Sequence, residues 1–131
     1  MVNYQALVGR QWNYGLGADC YSLVRDYYKL LDVILPDYER PESIDNLKTI
    51  FLDELPKIGF KPVPFKRRQV NDVLLMRLGS RIPQHVAILL SNERILHQCE
   101  GSLSSIEPYR LYYVKRTEVV FRYEAKGLTP R

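Results

Sequence analysis

GRQWNYGLGADCYSLVRDYYKLL, running from Gly9 to Leu31, decides how the rest of the chain is read. Asn13, Gly15 and Gly17 punctuate its first half, and residues that tolerate left-handed backbone at that density mark a loop. From Asp19 the pattern changes. Cys20, Leu23, Val24, Tyr27, Leu31 and Ile34 recur at helical spacing, one apolar stripe suited to a core, and Pro36 stops it. Asp19 stands just before the stripe and can accept hydrogen bonds from the unpaired amides of a first turn, so it is the expected N-cap. Cys20 then falls in that first turn, where the positive end of the helix dipole favours a thiolate. A plainer role stays open at this point: Cys20 as a small apolar residue on the same stripe as Leu23 and Val24.

Working outward, Val2, Ala6 and Leu7 predict a short helix over 2–9. A second helix is expected over 43–55, capped by Ser43, burying Ile44, Leu47, Ile50, Phe51 and Leu55, and closed by Pro56 and Gly59. The remainder reads as strands: VLLMRL (73–78), HVAILL (85–90), RILHQC (94–99) and EVVFRY (118–123), all rich in branched and aromatic residues. Helices come first and strands follow. That order predicts an α+β fold, N-terminal helices packed on a mostly antiparallel sheet, rather than alternating βαβ units. At 131 residues and 46% apolar composition, the chain is expected to form a single domain over 1–131.

A thiol needs a base, and the chain has two histidines, His85 and His97. They sit at matching ends of the two strands of a hairpin. Because side chains alternate along a strand, a two-residue Ser91-Asn92 turn would put the imidazoles on opposite faces. A three-residue loop of Leu90, Ser91 and Asn92, with Asn92 left-handed, would set them opposite each other on one face, expected to be the Cys20 side. Either histidine alone would read as a core residue, whereas the pair points to a site.

A net charge of +4 permits attraction to a polyanion without identifying one. The densest basic run, Lys66 to Arg68, reads as a solvated loop, so no nucleic-acid partner is expected. No segment has the length and apolarity of a membrane span, and no leader-like start is seen, so synthesis in the cytoplasm is expected. Cys20 and Cys99 are expected to be free thiols, although a bridge between them is open. Zinc held by Cys20, His85, His97 and Cys99 is conceivable on ligand type. With no close-spaced ligand pair to anchor it, neither metal nor cofactor is expected.

In order, the chain carries G-x-x-W-x-x-G, D-C-x-x-L-V-x-x-x-Y, D-V-L-L-M, P-x-H-V-A-I-x-L and I-L-H, spread from Gly9 to Tyr123. This set resembles the NlpC-type cysteine peptidases, whose fold is a papain-like α+β domain. More narrowly, ILHQCEGSLSSIEPYRLYYVKRT resembles the end of bacteriophage tail-tip assembly proteins and gene-transfer-agent peptidases, "EPY" segment included. The resemblance implies Cys20 as nucleophile, His85 as base and His97 as the group that orients the base. It implies peptidoglycan stem peptides as substrate, cut between D-glutamate and a diamino acid, and tail-tip proteins as partners. A bacterial cytoplasmic origin and a place in the virion tail, acting at the host wall, follow from the same likeness.

The departures from that pattern fall at named positions. Tyr21-Ser22 stands where many members have Ser-Gly after the cysteine, and Asn71 stands for a usual glycine. Trp12 occupies the place of a tyrosine whose hydroxyl approaches the nucleophile, which leaves Trp12 as a core or cleft-wall aromatic and Tyr14 as the candidate oxyanion donor. Asp19 and Asp72 are read as structural, a helix cap and a turn residue before a strand. Two rival functions remain: a catalytically silent tail-assembly scaffold of the same fold, and a papain-like amidase or acyltransferase.

Overall fold

Helix α1 (Cys20–Leu30) begins where its cap dictates, with Asp19 extended and its carboxylate accepting the Ser22 N–H at 2.9 Å. The computed structural model, which describes residues 3–124, ends this helix earlier than the apolar spacing suggested. Asp32 turns left-handed at φ 63°, and Ile34, expected on the stripe, is 76% exposed. Tyr21, Leu23, Val24, Tyr27 and Tyr28 are buried. Each fully buried leucine or valine on such a face contributes roughly 1.5–3 kcal/mol.

The helix expected over 2–9 is a 3-10 turn, Gln5–Leu7, and Val2 lies outside the described residues. The one expected over 43–55 is helical but irregular. It runs through a 3-10 turn (Ile44–Asn46), one α-turn, α2 (Leu47–Thr49), a π segment (Ile50–Glu54) and a last 3-10 turn (Leu55–Ile58). Ser43 makes no side-chain cap bond. Pro56 has no N–H to return to the preceding turn, and the Leu55 N–H reaches back to the Ile50 carbonyl instead, which loosens the ladder. Gly59 ends the stretch at φ 112°, where a Cβ would come within 2.8 Å of the Glu124 carbonyl oxygen.

Six strands follow: β1 (Phe60–Val63), β2 (Val73–Met76), β3 (His85–Leu90), β4 (Arg94–His97), β5 (Ser105–Pro108) and β6 (Thr117–Tyr123). They form one antiparallel sheet in the order β1-β6-β2-β3-β4-β5. β1 and β5, which the strand patterns missed, are its two edges, and each carries a proline, Pro62 and Pro108. Proline weakens a strand signal and is tolerated at an edge. One face, with Val86, Ile88, Leu90 and Leu96, packs in the cluster that contains α1. The other, with Leu74, Met76, Ala87, Leu89 and Ile95, packs with Tyr109 and with Tyr113 of a short helix, α3 (Leu111–Val114), that the sequence patterns also missed. Covered on both faces, β2 and β3 are buried at every residue.

The β3–β4 hairpin has the odd loop expected, displaced by one residue. Leu90 pairs with Arg94, which leaves Ser91, Asn92 and Glu93 in the turn, the last two left-handed at φ 60° and 50°. His97 therefore pairs with Ala87, and His85 lies one diagonal step away on the same face. By alternation that face is the one shared with Ala87 and Leu89, which α3 covers, not the one α1 packs on. His85, the first residue of β3, shares a cavity with Cys20 at the end of the sheet instead, and His97 lies behind it.

Asn71 takes the left-handed angle that a glycine would, φ 81°, and the Tyr27 and Tyr28 hydroxyls donate to its side-chain and backbone oxygens, both at 2.5 Å. Asp72 accepts the Gln69 N–H at 2.7 Å and both arms of the Arg122 guanidinium at 3.0 and 2.9 Å. These bonds hold the entry to β2, as a turn residue should.

Candidate active site

Cys20, the first residue of α1, is 3% exposed, and its sulfur faces the backbone N–H of Val86 in β3. Burial pushes its thiol up to about 12, against the pull of that N–H and of the helix start. Burial, reinforced by the neighbouring His97, likewise carries His85 well below the usual imidazole range. Burial thus works against both the thiolate and the imidazolium, opposing the ion pair that a cysteine at a helix start beside an imidazole would favour.

From His85 a line of hydrogen bonds runs across three strands. His85 Nε2 lies 2.9 Å from His97 Nδ1, and His97 Nε2 lies 2.7 Å from Glu107 Oε2 in β5. The Tyr113 hydroxyl donates to both Glu107 oxygens, at 3.0 and 2.9 Å, and its ring meets the His97 ring edge-on at 5.2 Å. Burial works to raise the Glu107 carboxyl, but the bonds from His97 and Tyr113 prevail and hold it below the usual range. His97 itself is lowered, mainly by burial.

The loop before α1 is closed by a bridge between Asn13 and Ala18 and by the Gly15 N–H donating to Asp19 at 2.9 Å. It stacks Trp12 on Tyr14, with ring centroids 6.0 Å apart and planes 8° from parallel. Trp12 lines the Cys20 cavity, and the Tyr14 hydroxyl donates to the Pro41 carbonyl at 2.6 Å. The cavity holds about 40 Å³ between Trp12, Cys20, Ile44, Leu47, His85 and Cys99, space for little more than one water.

Opening that wall should unmask the thiol. In a Cys99→Ala background, Trp12→Ala is expected to speed alkylation of Cys20 by iodoacetamide roughly tenfold at neutral pH, followed by intact mass. With the thiol raised by burial, the rate in the parent should climb steadily from pH 6 to pH 10, since thiolate is what reacts. A plateau beginning at mildly acidic pH would reveal a preformed ion pair instead.

Both cysteines are free. Among the described residues, His85, His97 and Cys99 bring three atoms of metal-ligand type within 4.8 Å of one another, and Cys20 is not in that set. The two ring nitrogens involved already face each other across the 2.9 Å bond, and Cys99 Sγ lies 3.8 Å from His97 Nδ1.

Two members of the site escaped the sequence reading. Glu107 lies in the "EPY" segment, but nothing local ties it to His97, which it reaches across the β4–β5 ladder. Arg40, from an unpatterned loop, clamps Asp19 through Nε at 2.8 Å and Nη2 at 3.1 Å and also reaches Ser22 Oγ at 3.0 Å. In the Lys66–Arg68 run, Arg68 stacks on Phe65 at 4.2 Å and pairs with Glu93 at 2.5 Å, while Lys66 and Arg67 are exposed. Among the described residues, no helix is long and apolar enough to cross a membrane.

Tail tip assembly protein K of Escherichia phage lambda is 36% identical over 120 residues, covering 91% of this chain and 60% of that protein, so the chain spans only part of this relative. The solved structure of NlpC2 from Trichomonas vaginalis superposes with a TM-score of 0.65 at 17% identity, over 93% of this chain and 44% of that one. The peptidoglycan hydrolase RipB from Mycobacterium tuberculosis gives 0.59 at 22% identity, over 91% and 60%. Identities this low speak to the fold alone. The NlpC/P60 family model matches residues 9–122, and the chain belongs to the NlpC/P60 family.

Proposed function

We propose that this chain is a thiol peptidase that cuts peptide bonds in bacterial peptidoglycan. The observation that carries this reading is the meeting of Cys20, at the head of α1, with His85 in one cavity, while His85 is hydrogen-bonded on its far side to His97. Substrate binding displaces the Trp12 wall and brings a scissile amide against the sulfur. The Cys20 proton passes to His85, and the sulfur attacks the amide carbonyl carbon. The backbone N–H of Cys20, at the open end of α1, is the donor suited to the oxyanion. His85 returns the proton to the leaving amine, and water then hydrolyses the thioester. His97 holds the His85 ring throughout.

The finer assignments rest on likeness. Family membership and the named hydrolase among the structural neighbours support a wall peptide as substrate, and we assign the bond between D-glutamate and the diamino acid. The lambda relative supports a protein made in the bacterial cytoplasm and built into a virion tail beside tail-tip proteins. One observation favours the silent scaffold, namely the small size of the cavity at Cys20, about 40 Å³. Mass spectrometry of muropeptides after incubation with purified protein decides between the readings. New termini at D-glutamate support the peptidase, an unchanged digest supports the scaffold, and products extended by an added amine support an acyltransferase.

A further inference from the structure

We infer that Glu107 is a positioning residue that sets the proton arrangement of both histidines, leaving Nδ1 of His85 bare and able to accept the Cys20 proton. The inference rests on the proposed pairing of Cys20 with His85 and adds a residue beyond the triad.

The argument follows the donors along one line. An ionised carboxylate only accepts hydrogen bonds, and the single Tyr113 hydroxyl proton is shared between the two Glu107 oxygens. The 2.7 Å contact with His97 must then be donated by the ring, which puts the proton on Nε2. A neutral imidazole carries one proton, so His97 Nδ1 is a bare acceptor. The 2.9 Å contact to it must be donated by His85 Nε2. His85 is also neutral at rest, so its single proton is used and Nδ1 is bare.

Each assignment forces the next, and the chain starts at Glu107. Without an acceptor there, His97 can place its proton on Nδ1 and present a donor to His85. His85 must then turn Nε2 into the acceptor and carry its proton on Nδ1, where it can no longer take one from the thiol. Glu107 has no hydrogen bond to Cys20 or His85 among the described residues and acts through His97. Its own placement is fixed by Tyr113 from α3 and by Arg110, 3.5 Å away, which explains why a four-residue helix covers this face of the sheet. Once His85 has taken the proton, the same carboxylate lies two hydrogen bonds from the imidazolium and favours its charge.

Because the chain has two histidines, NMR of [15N]histidine-labelled protein resolves just four ring nitrogens. At neutral pH the parent should show protonated Nε2 and bare Nδ1 on both rings. Glu107→Leu, which removes the acceptor at similar volume, should mix or invert both tautomers. Glu107→Gln keeps one acceptor oxygen and should restore the parent pattern. With a muropeptide substrate, Glu107→Leu should lower kcat by about 10²-fold or more with KM little changed, the signature of a misdirected base. The inference is overturned if the parent carries its protons on Nδ1, or if Glu107→Leu leaves both tautomers as they were. Should that variant not fold, the tautomers of the parent alone still decide. Tautomers need no substrate, so an inactive protein with the expected pattern would sink the peptidase reading and leave this one standing.

Discussion

Cys20→Ala protein should fold, bind and release nothing: no new muropeptide should appear, a fall of about 10⁴–10⁶-fold against the parent. The substitution removes one sulfur from the helix start and preserves the Asp19 cap, so a stability loss of only about 1 kcal/mol is expected. His85→Ala should reduce hydrolysis comparably, and the double variant should be scarcely worse than either single one. Groups that act as one unit fail together, because a nucleophile without its base and a base without its nucleophile both leave the thiol inert. Additive losses would mean that the two residues act in separate steps and would break the proposed proton transfer. Turnover measured by muropeptide release, with thermal melting beside it, keeps lost chemistry apart from lost fold.

The second large effect concerns stability. Arg40→Ala should lower the unfolding free energy by about 3–5 kcal/mol in urea titration, because it strands a buried charge. The side chains of Arg40 and Asp19 are only 4% and 2% exposed, and Arg40 also reaches Asp37 at 2.8 Å and the Tyr38 carbonyl. Asp19 in turn caps the helix that begins with Cys20, so the loss should spread to the active site. The double variant Asp19→Asn with Arg40→Met keeps a capping oxygen, removes both charges and should recover most of the loss. Burial alone would raise the Asp19 carboxyl, but the Arg40 and backbone hydrogen bonds hold it below its ordinary 3.8. Its contribution is therefore complete above that value and fades as pH falls through the lower folded one. In the Arg40→Ala protein this acid-side loss should shrink.

The features legible in the sequence were those with local causes. Asp19 caps whatever helix follows it, so the start of α1 and the position of Cys20 could be read from neighbours alone. The central strands announced themselves because both faces are covered, which makes VLLM and HVAILL continuous apolar runs. The edges hid behind Pro62 and Pro108, since an edge strand needs only one laddered side and can carry a residue that a strand pattern rejects. The far end of α1 was misread because Ile34 continues the spacing, while Asp32 breaks the backbone two residues earlier.

Chain order and residue type by themselves determined an α+β domain, a thiol at a helix start and two histidines on one hairpin. Tertiary structure decided which partners those groups have. Loop register moved the histidines from directly opposite to diagonal, a shift of one residue in where Leu90 pairs that no composition records. The β4–β5 ladder brought Glu107 to His97, packing of α3 against the far face brought Tyr113 to both, and an unpatterned loop brought Arg40 to Asp19, 21 positions away in sequence. Burial pushes the Cys20 thiol against the thiolate that its helix start favours, because helix dipoles act within one element whereas desolvation depends on everything packed around it.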